Sequence, residues 1–157
     1  MGKGPLNYST IIPAARTSQE CVTMLVEHGA IRAGLVTEAR KPAGIEFQID
    51  TRWGPRHYAV PVNVDATQAT LVKAVKEGTV TLGGGGRSRA NLTSRDHALD
   101  VAWRVLRDWL EVQIAMIEAG LADLERVMLS WQLVAPGKDM FEALDEQQGL
   151  MLPAGES

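Results

Sequence analysis

Between about residue 30 and residue 62 the apolar positions recur every second residue, while on either side they recur with a helical period. Ile45, Phe47 and Ile49 fall on one side of a strand, with Glu46, Gln48 and Asp50 on the other. Ile31 to Glu38 forms an earlier β-prone run, and Lys41-Pro42-Ala43-Gly44 is the predicted turn between the two. Trp53-Gly54-Pro55 makes the next turn, leading to a third alternating run with Tyr58, Val60 and Val62, in which Pro61 favours a sheet edge. The pattern predicts an antiparallel meander with one wet face.

Helices frame the meander. Thr17-Ser18-Gln19-Glu20 reads as a capping box opening a short helix that Gly29 closes just beyond His28. Residues 1–16, carrying Gly2, Gly4, Pro5 and Pro13, read as an extended arm. Asp65 is the expected N-cap of a helix over Ala66 to Glu77 that Gly78 stops, with Ala69, Val72 and Val75 facing inward beside Leu71. Thr79 to Leu82 is β-prone and reads as a short strand. After Gly83-Gly84-Gly85-Gly86, the capping sequence Thr93-Ser94-Arg95-Asp96 starts the longest element, a helix reaching about Ala119 before Gly120. Some 25 residues at about 1.5 Å each span close to 40 Å, enough to cross a domain.

On that helix His97, Asp100, Arg104, Arg107, Asp108, Glu111 and Glu118 share one narrow stripe. Asp100 with Arg104, Arg104 with Asp108 and Arg107 with Glu111 are opposite charges at i, i+4 spacing, the separation at which helix surface residues meet. Nearly every other position is apolar, which places the Trp103 half at the centre of the domain and leaves the Met116 half open to a second copy of the chain. Leu121 to Met128 is read as a short helix, Leu129 to Val134 as a strand and Asp139 to Leu144 as a further helical turn or two. The fold class is α+β: a three- to four-stranded antiparallel meander packed against one long central helix and shorter flanking helices. Residues 17–144 form the single domain, with a flexible Gly/Arg loop over 83–92 and a mobile tail over 145–157.

Length and composition agree with one domain, since 157 residues bury roughly 70% of the unfolded surface. The single cysteine, Cys21, sits among apolar neighbours and reads as a small core residue; it cannot form an intramolecular disulfide. The net charge of −3 conceals a division: up to Arg95 there are twelve Lys/Arg against seven Asp/Glu, and from Asp96 onward four against twelve. Such asymmetry produces a basic face for an anionic partner, complementary faces between subunits, or compensation within one molecule. The start Met1-Gly2-Lys3-Gly4-Pro5 has no apolar signal core and no run approaches a membrane span, so a cytoplasmic protein is expected.

Candidate chemistry is sparse. His28, His57 and His97 lie far apart and match no metal-ligand spacing, and no nucleophile elbow occurs, so no catalytic residue, metal or cofactor is expected. The glycine run fails the Walker pattern, because Gly86-Arg87-Ser88 follows at the wrong spacing and the helix cap comes five residues after Ser88. What remains is positive charge on a loop, Arg87, Arg89 and Arg95, and a second cluster, Arg52, Trp53, Arg56 and His57, on a hairpin tip. Arginines hold phosphates through a planar fork, and exposed aromatic rings stack bases. The same residues also fit a solvated connector, with Trp53 folded back on the meander and Tyr58 in its core.

The long helix resembles a family of small, functionally uncharacterised proteins of bacteriophages and integrated mobile elements. The residues that carry the likeness are Ala102-Trp103-Arg104, Asp108-Trp109-Leu110-Glu111, Gln113, Ala115 and Ile117-Glu118-Ala119-Gly120, supported by the Asn7 to Pro13 arm and by Tyr58 to Val64. It implies a phage or mobile-element setting in a bacterial host and transfers no active site. The expected function is a non-enzymatic accessory protein that binds single-stranded nucleic acid, or another phosphate-bearing anion, through both basic clusters. The alternatives are an anti-defence or host-protein-binding factor, which includes capture of a phosphorylated small molecule, and a structural or scaffolding subunit of a phage particle.

Overall fold

The computed structural model describes residues 3–83 and 88–147 and shows the α+β architecture. Three antiparallel strands, β1 (Ala30–Glu38), β2 (Lys41–Thr51) and β3 (Gly54–Pro61), form a sheet in the order β1-β2-β3. Ile45, Phe47 and Ile49 of β2 point into the core, as their alternation requires, and the Phe47 and Tyr58 rings stack with centroids 5.2 Å apart. The first turn is not at Lys41–Gly44. Glu38 pairs with Lys41, so the loop is Ala39-Arg40, with φ of 48° and 64°, as a two-residue hairpin loop of the primed type requires. Gly44 serves close packing instead, because a Cβ there would stand 3.0 Å from the Val60 carbonyl oxygen.

Two helices lie side by side on the core face, α1 (Ala14–Glu27) and the long α4 (Arg95–Glu118). Trp103, fully buried, anchors α4 to the sheet by donating its Nε1–H to the Pro42 carbonyl at 2.9 Å. Ser94 is the α4 N-cap, its Oγ accepting from the His97 N–H at 3.1 Å, and Gly120 with φ 72° follows the helix end. Cys21 is buried between the two helices and their sheet, and burial pushes its thiol pKa up to about 12.

Helix α1 starts at Ala14, three residues inside the segment expected to be an arm, and the capping box at Thr17 does not form. The acceptor that opens α1 comes from α4: Asp100 Oδ1 takes the Ala14 N–H at 2.7 Å. A local cap signal loses to a tertiary one. Asp100 is therefore not the i, i+4 partner of Arg104, nor is Asp108. Arg104 reaches Glu20 of α1 at 3.4 Å, Asp108 accepts from Asn7 Nδ2 at 2.8 Å, and of the three expected pairs only Arg107 with Glu111 forms, at 2.6 Å. The polar stripe is a seam on which α1 and the Asn7–Tyr8 segment lie; His97 Nε2 also meets the Tyr8 carbonyl at 2.6 Å.

Helix α2 (Val64–Glu77) crosses the first half of α4. Asn63, not Asp65, is its N-cap, accepting from the Ala66 N–H at 2.9 Å, and Gly78 stops it in the left-handed region. It buries Leu71, Ala74 and Val75, whereas Val72 is exposed. Thr79 to Leu82 forms no strand; Val80 packs beside Ala74, Val75 and Leu92. A single helical turn, α3 (Arg89–Leu92), leads to α4. After α4 come α5 (Leu124–Met128), a 3-10 turn over Leu129–Trp131, a small hairpin of β4 (Leu133–Ala135) with β5 (Lys138–Asp139), and α6 (Met140–Glu146), which opens on an Asp139/Glu142 capping box.

Candidate nucleic-acid interface

The β2–β3 loop is two residues long, Arg52 and Trp53, between the paired residues Thr51 and Gly54. Thr51 holds it from inside: its hydroxyl donates to the Gly54 carbonyl at 2.7 Å and accepts from the Trp53 N–H at 3.1 Å. So fixed, the turn pushes Trp53 outward; the residue is 68% exposed, with the Arg52 guanidinium carbon 4.8 Å from its ring centroid. Trp53 does not fold back on the meander, while Tyr58 is core. Strand alternation then separates the next two candidates. Arg56 lies on the Tyr58 side of β3, and His57 lies on the outer side, opposite Gln48 and exposed.

Beside the tip is a groove of about 270 Å³ bordered by Trp53, Arg56, Tyr58, Glu125, Leu129 and Gln132. Its far wall is built by the α5 segment. Asp123 caps α5 by accepting from the Arg126 N–H at 2.8 Å, Leu124 and Met128 are buried in the core, and Glu125 is left facing the groove. Gln132 is held by its backbone, which bridges to Tyr58 and accepts from the Met140 N–H at 2.9 Å. Burial pushes the Tyr58 phenol pKa up; Glu125 adds to the shift and Arg56 opposes it, so both charges act on the groove floor. Glu125 and Gln132 carry no local signal in the sequence and come to the tip only through the fold.

The second basic cluster lies elsewhere. Arg95 is ion-paired with Asp65, and its neighbour Asp96 is ion-paired with Lys41. Lys41 begins β2 and Arg52 follows its end, so ten residue steps of about 3.3 Å put the clusters roughly 30 Å apart, at opposite ends of the sheet. Arg95 and Asp96 border a cleft of about 470 Å³ together with Glu38, Pro42, Asn63 and Asp65. Arg89 starts α3 on that same side and is exposed, while Arg87 lies outside the described residues. The fold thus brings together Arg52, Trp53 and Arg56, sets His57 on the other sheet face, and keeps Arg89 and Arg95 apart from them.

Among the described residues no group of three or more His, Cys, Asp or Glu is placed to hold a metal, and no helix is long and apolar enough to cross a membrane. Comparison of the chain with protein-family models, with curated proteins and with solved structures gives no match.

Proposed function

We propose that the chain is a non-enzymatic accessory protein that binds single-stranded nucleic acid through the β2–β3 tip, in a phage or mobile-element setting that rests on the α4 resemblance. The observation that carries this reading is the exposed Trp53, held out by a stapled two-residue turn with Arg52 over its ring and Arg56 two strand positions beyond Gly54. With one guanidinium over it and the residue largely exposed, the ring can stack a base, a contact worth about 1–3 kcal/mol and tolerant of sequence. Phosphates lie within the charge of Arg52 and Arg56. The acidic balance of the whole chain makes binding local and strongly dependent on salt.

Titration of a labelled single-stranded oligonucleotide at low and moderate salt tests the reading. Affinity should fall steeply with salt and drop again in Arg52→Ala and Arg56→Ala; absence of binding at low salt refutes it. A second reading, docking on a protein surface, is favoured by one observation. On α4, Val105, Val112 and Met116 are exposed along one face beside Trp109. A host protein or a second copy of the chain would fit there, and nuclease-resistant capture of one stoichiometric partner would support it.

A further inference from the structure

The groove beside Trp53 holds charges that a purely phosphate-binding site would not keep. Arg56 borders it from β3 and Glu125 from α5, and they form no ion pair with each other; among the described residues the only hydrogen bond from the Arg56 guanidinium goes to the neighbouring Pro55 carbonyl, at 3.1 Å. Glu125 and the Gln132 side chain make no hydrogen bond or ion pair among the described residues, whereas in the α1–α4 seam Arg104 meets Glu20 and Arg107 meets Glu111. A carboxylate aimed into a site for a polyanion repels the backbone, and becomes favourable only when a donor edge of the ligand meets it. The groove's volume, about 270 Å³, lies below the range usual for drug-sized ligands and suits one planar base.

We infer that this groove takes a single guanine base from a bound strand and selects it through Glu125. Among the four bases only guanine presents two adjacent donors, N1–H and the N2 amino group, on its pairing edge, and two parallel donors match the two oxygens of a carboxylate as a fork matches a fork. Thymine offers one N–H between two carbonyls, which the carboxylate repels. Adenine and cytosine each place an acceptor next to their single amino group. Gln132, held by the Tyr58 bridge, supplies an amide to the guanine O6, Trp53 stacks on the ring, and Arg56 on the β3 side takes the flanking phosphate. This selection rests on the strand-binding reading above and adds a base preference to it.

The test compares a labelled oligothymidylate with the same strand bearing one central guanine, adenine or cytosine, against the full-length protein. The guanine strand should bind about tenfold tighter than the others. Glu125→Gln should abolish that preference and strengthen binding of oligothymidylate, a gain that a merely structural role for Glu125 would not produce. Equal binding of all four strands by the parent protein, or a guanine preference that survives Glu125→Gln, overturns the inference while leaving strand binding intact. Failure of every strand to bind removes both. Competition by free GMP as effective as that of the guanine strand overturns the strand as the source of the base.

Discussion

The α1–α4 seam and the β2–β3 tip are both rich in charge, and they are connected in opposite ways. In the seam Glu20 meets Arg104 and Arg107, Asp100 caps α1, Asp108 holds Asn7 and Arg107 holds Glu111. At the tip Arg52 rests on a ring, and the Glu125 and Gln132 side chains face a groove with no hydrogen bond or ion pair among the described residues. Charge density therefore does not distinguish structure from function in this chain. Satisfaction does: a polar group that the fold supplies with a partner holds elements together, and one that it positions rigidly and leaves open is available to a ligand.

The contrast is tested most severely at Trp103, on which the seating of α4 against β2 depends. Trp103→Ala removes a fully buried ring and leaves the Pro42 carbonyl without its donor, and should destabilise the fold by about 3–5 kcal/mol in urea denaturation. Both regions should fail together, because α4 carries the seam and its core packing supports α5. Retention of oligonucleotide binding in a Trp103→Ala protein that has lost its near-ultraviolet signal would mean that the tip folds without the rest.

A pair of variants separates the two regions. Trp53→Ala should weaken oligonucleotide binding by about 1–3 kcal/mol and leave stability within about 0.5 kcal/mol of the parent, since the residue is mostly exposed. Glu20→Ala should do the reverse. It strips Arg104 and Arg107 of their α1 partner, at a cost of about 1–2 kcal/mol once the partial exposure of the carboxylate is discounted, with oligonucleotide affinity unchanged. Equal stability losses in the two variants would erase the distinction between seam and tip.

What was legible in the sequence follows the same division. Strand alternation at Ile45, Phe47 and Ile49 and the glycine stops at Gly78 and Gly120 depend on neighbours in the chain, and they read correctly, whereas the α4 cap falls on Ser94, one residue after the Thr93 that the capping sequence favoured. The start of α1 depends on Asp100, 86 residues away, and no local signal carries it. The first hairpin turn went unread because Ala39-Arg40 has none of the usual turn residues, whereas Pro42 and Gly44 do and serve other purposes. At the candidate site Arg52, Trp53 and Arg56 were legible as a tip. Glu125 and Gln132 were not, because α5 and the turn after it reach the tip only when the domain closes.

Within the seam two buried groups, the Thr17 hydroxyl and the Arg107 Nε–H, lack a hydrogen-bond partner, and the first provides a smaller test with the opposite sign. The Thr17 hydroxyl is fully buried and has no hydrogen-bond partner. Thr17→Val keeps the branched shape and removes a desolvated polar atom, so it should stabilise the protein by about 1 kcal/mol, read as a rise in the denaturation midpoint with unchanged slope. A loss of stability would mean that the hydroxyl is satisfied in solution.

The smallest effect expected lies where the two helices end. His28 Nδ1 meets the Met24 carbonyl at 2.8 Å and Nε2 meets Glu118 Oε1 at 3.1 Å, so both ring nitrogens face acceptors and only the protonated ring can donate to both. The Met24 hydrogen bond chiefly raises the His28 pKa, with burial opposing and Glu118 adding to the rise. A folded-state pKa above the unfolded one, about 6.5, means that the contribution of His28 is fully present below the unfolded value and is lost as pH rises through the folded one. Stability measured across that window in the parent and in His28→Gln should therefore converge as pH increases. Because Glu118 is largely exposed, added salt should shrink the difference. Parallel profiles would show that the ring holds α1 to α4 in its neutral form, through one acceptor alone.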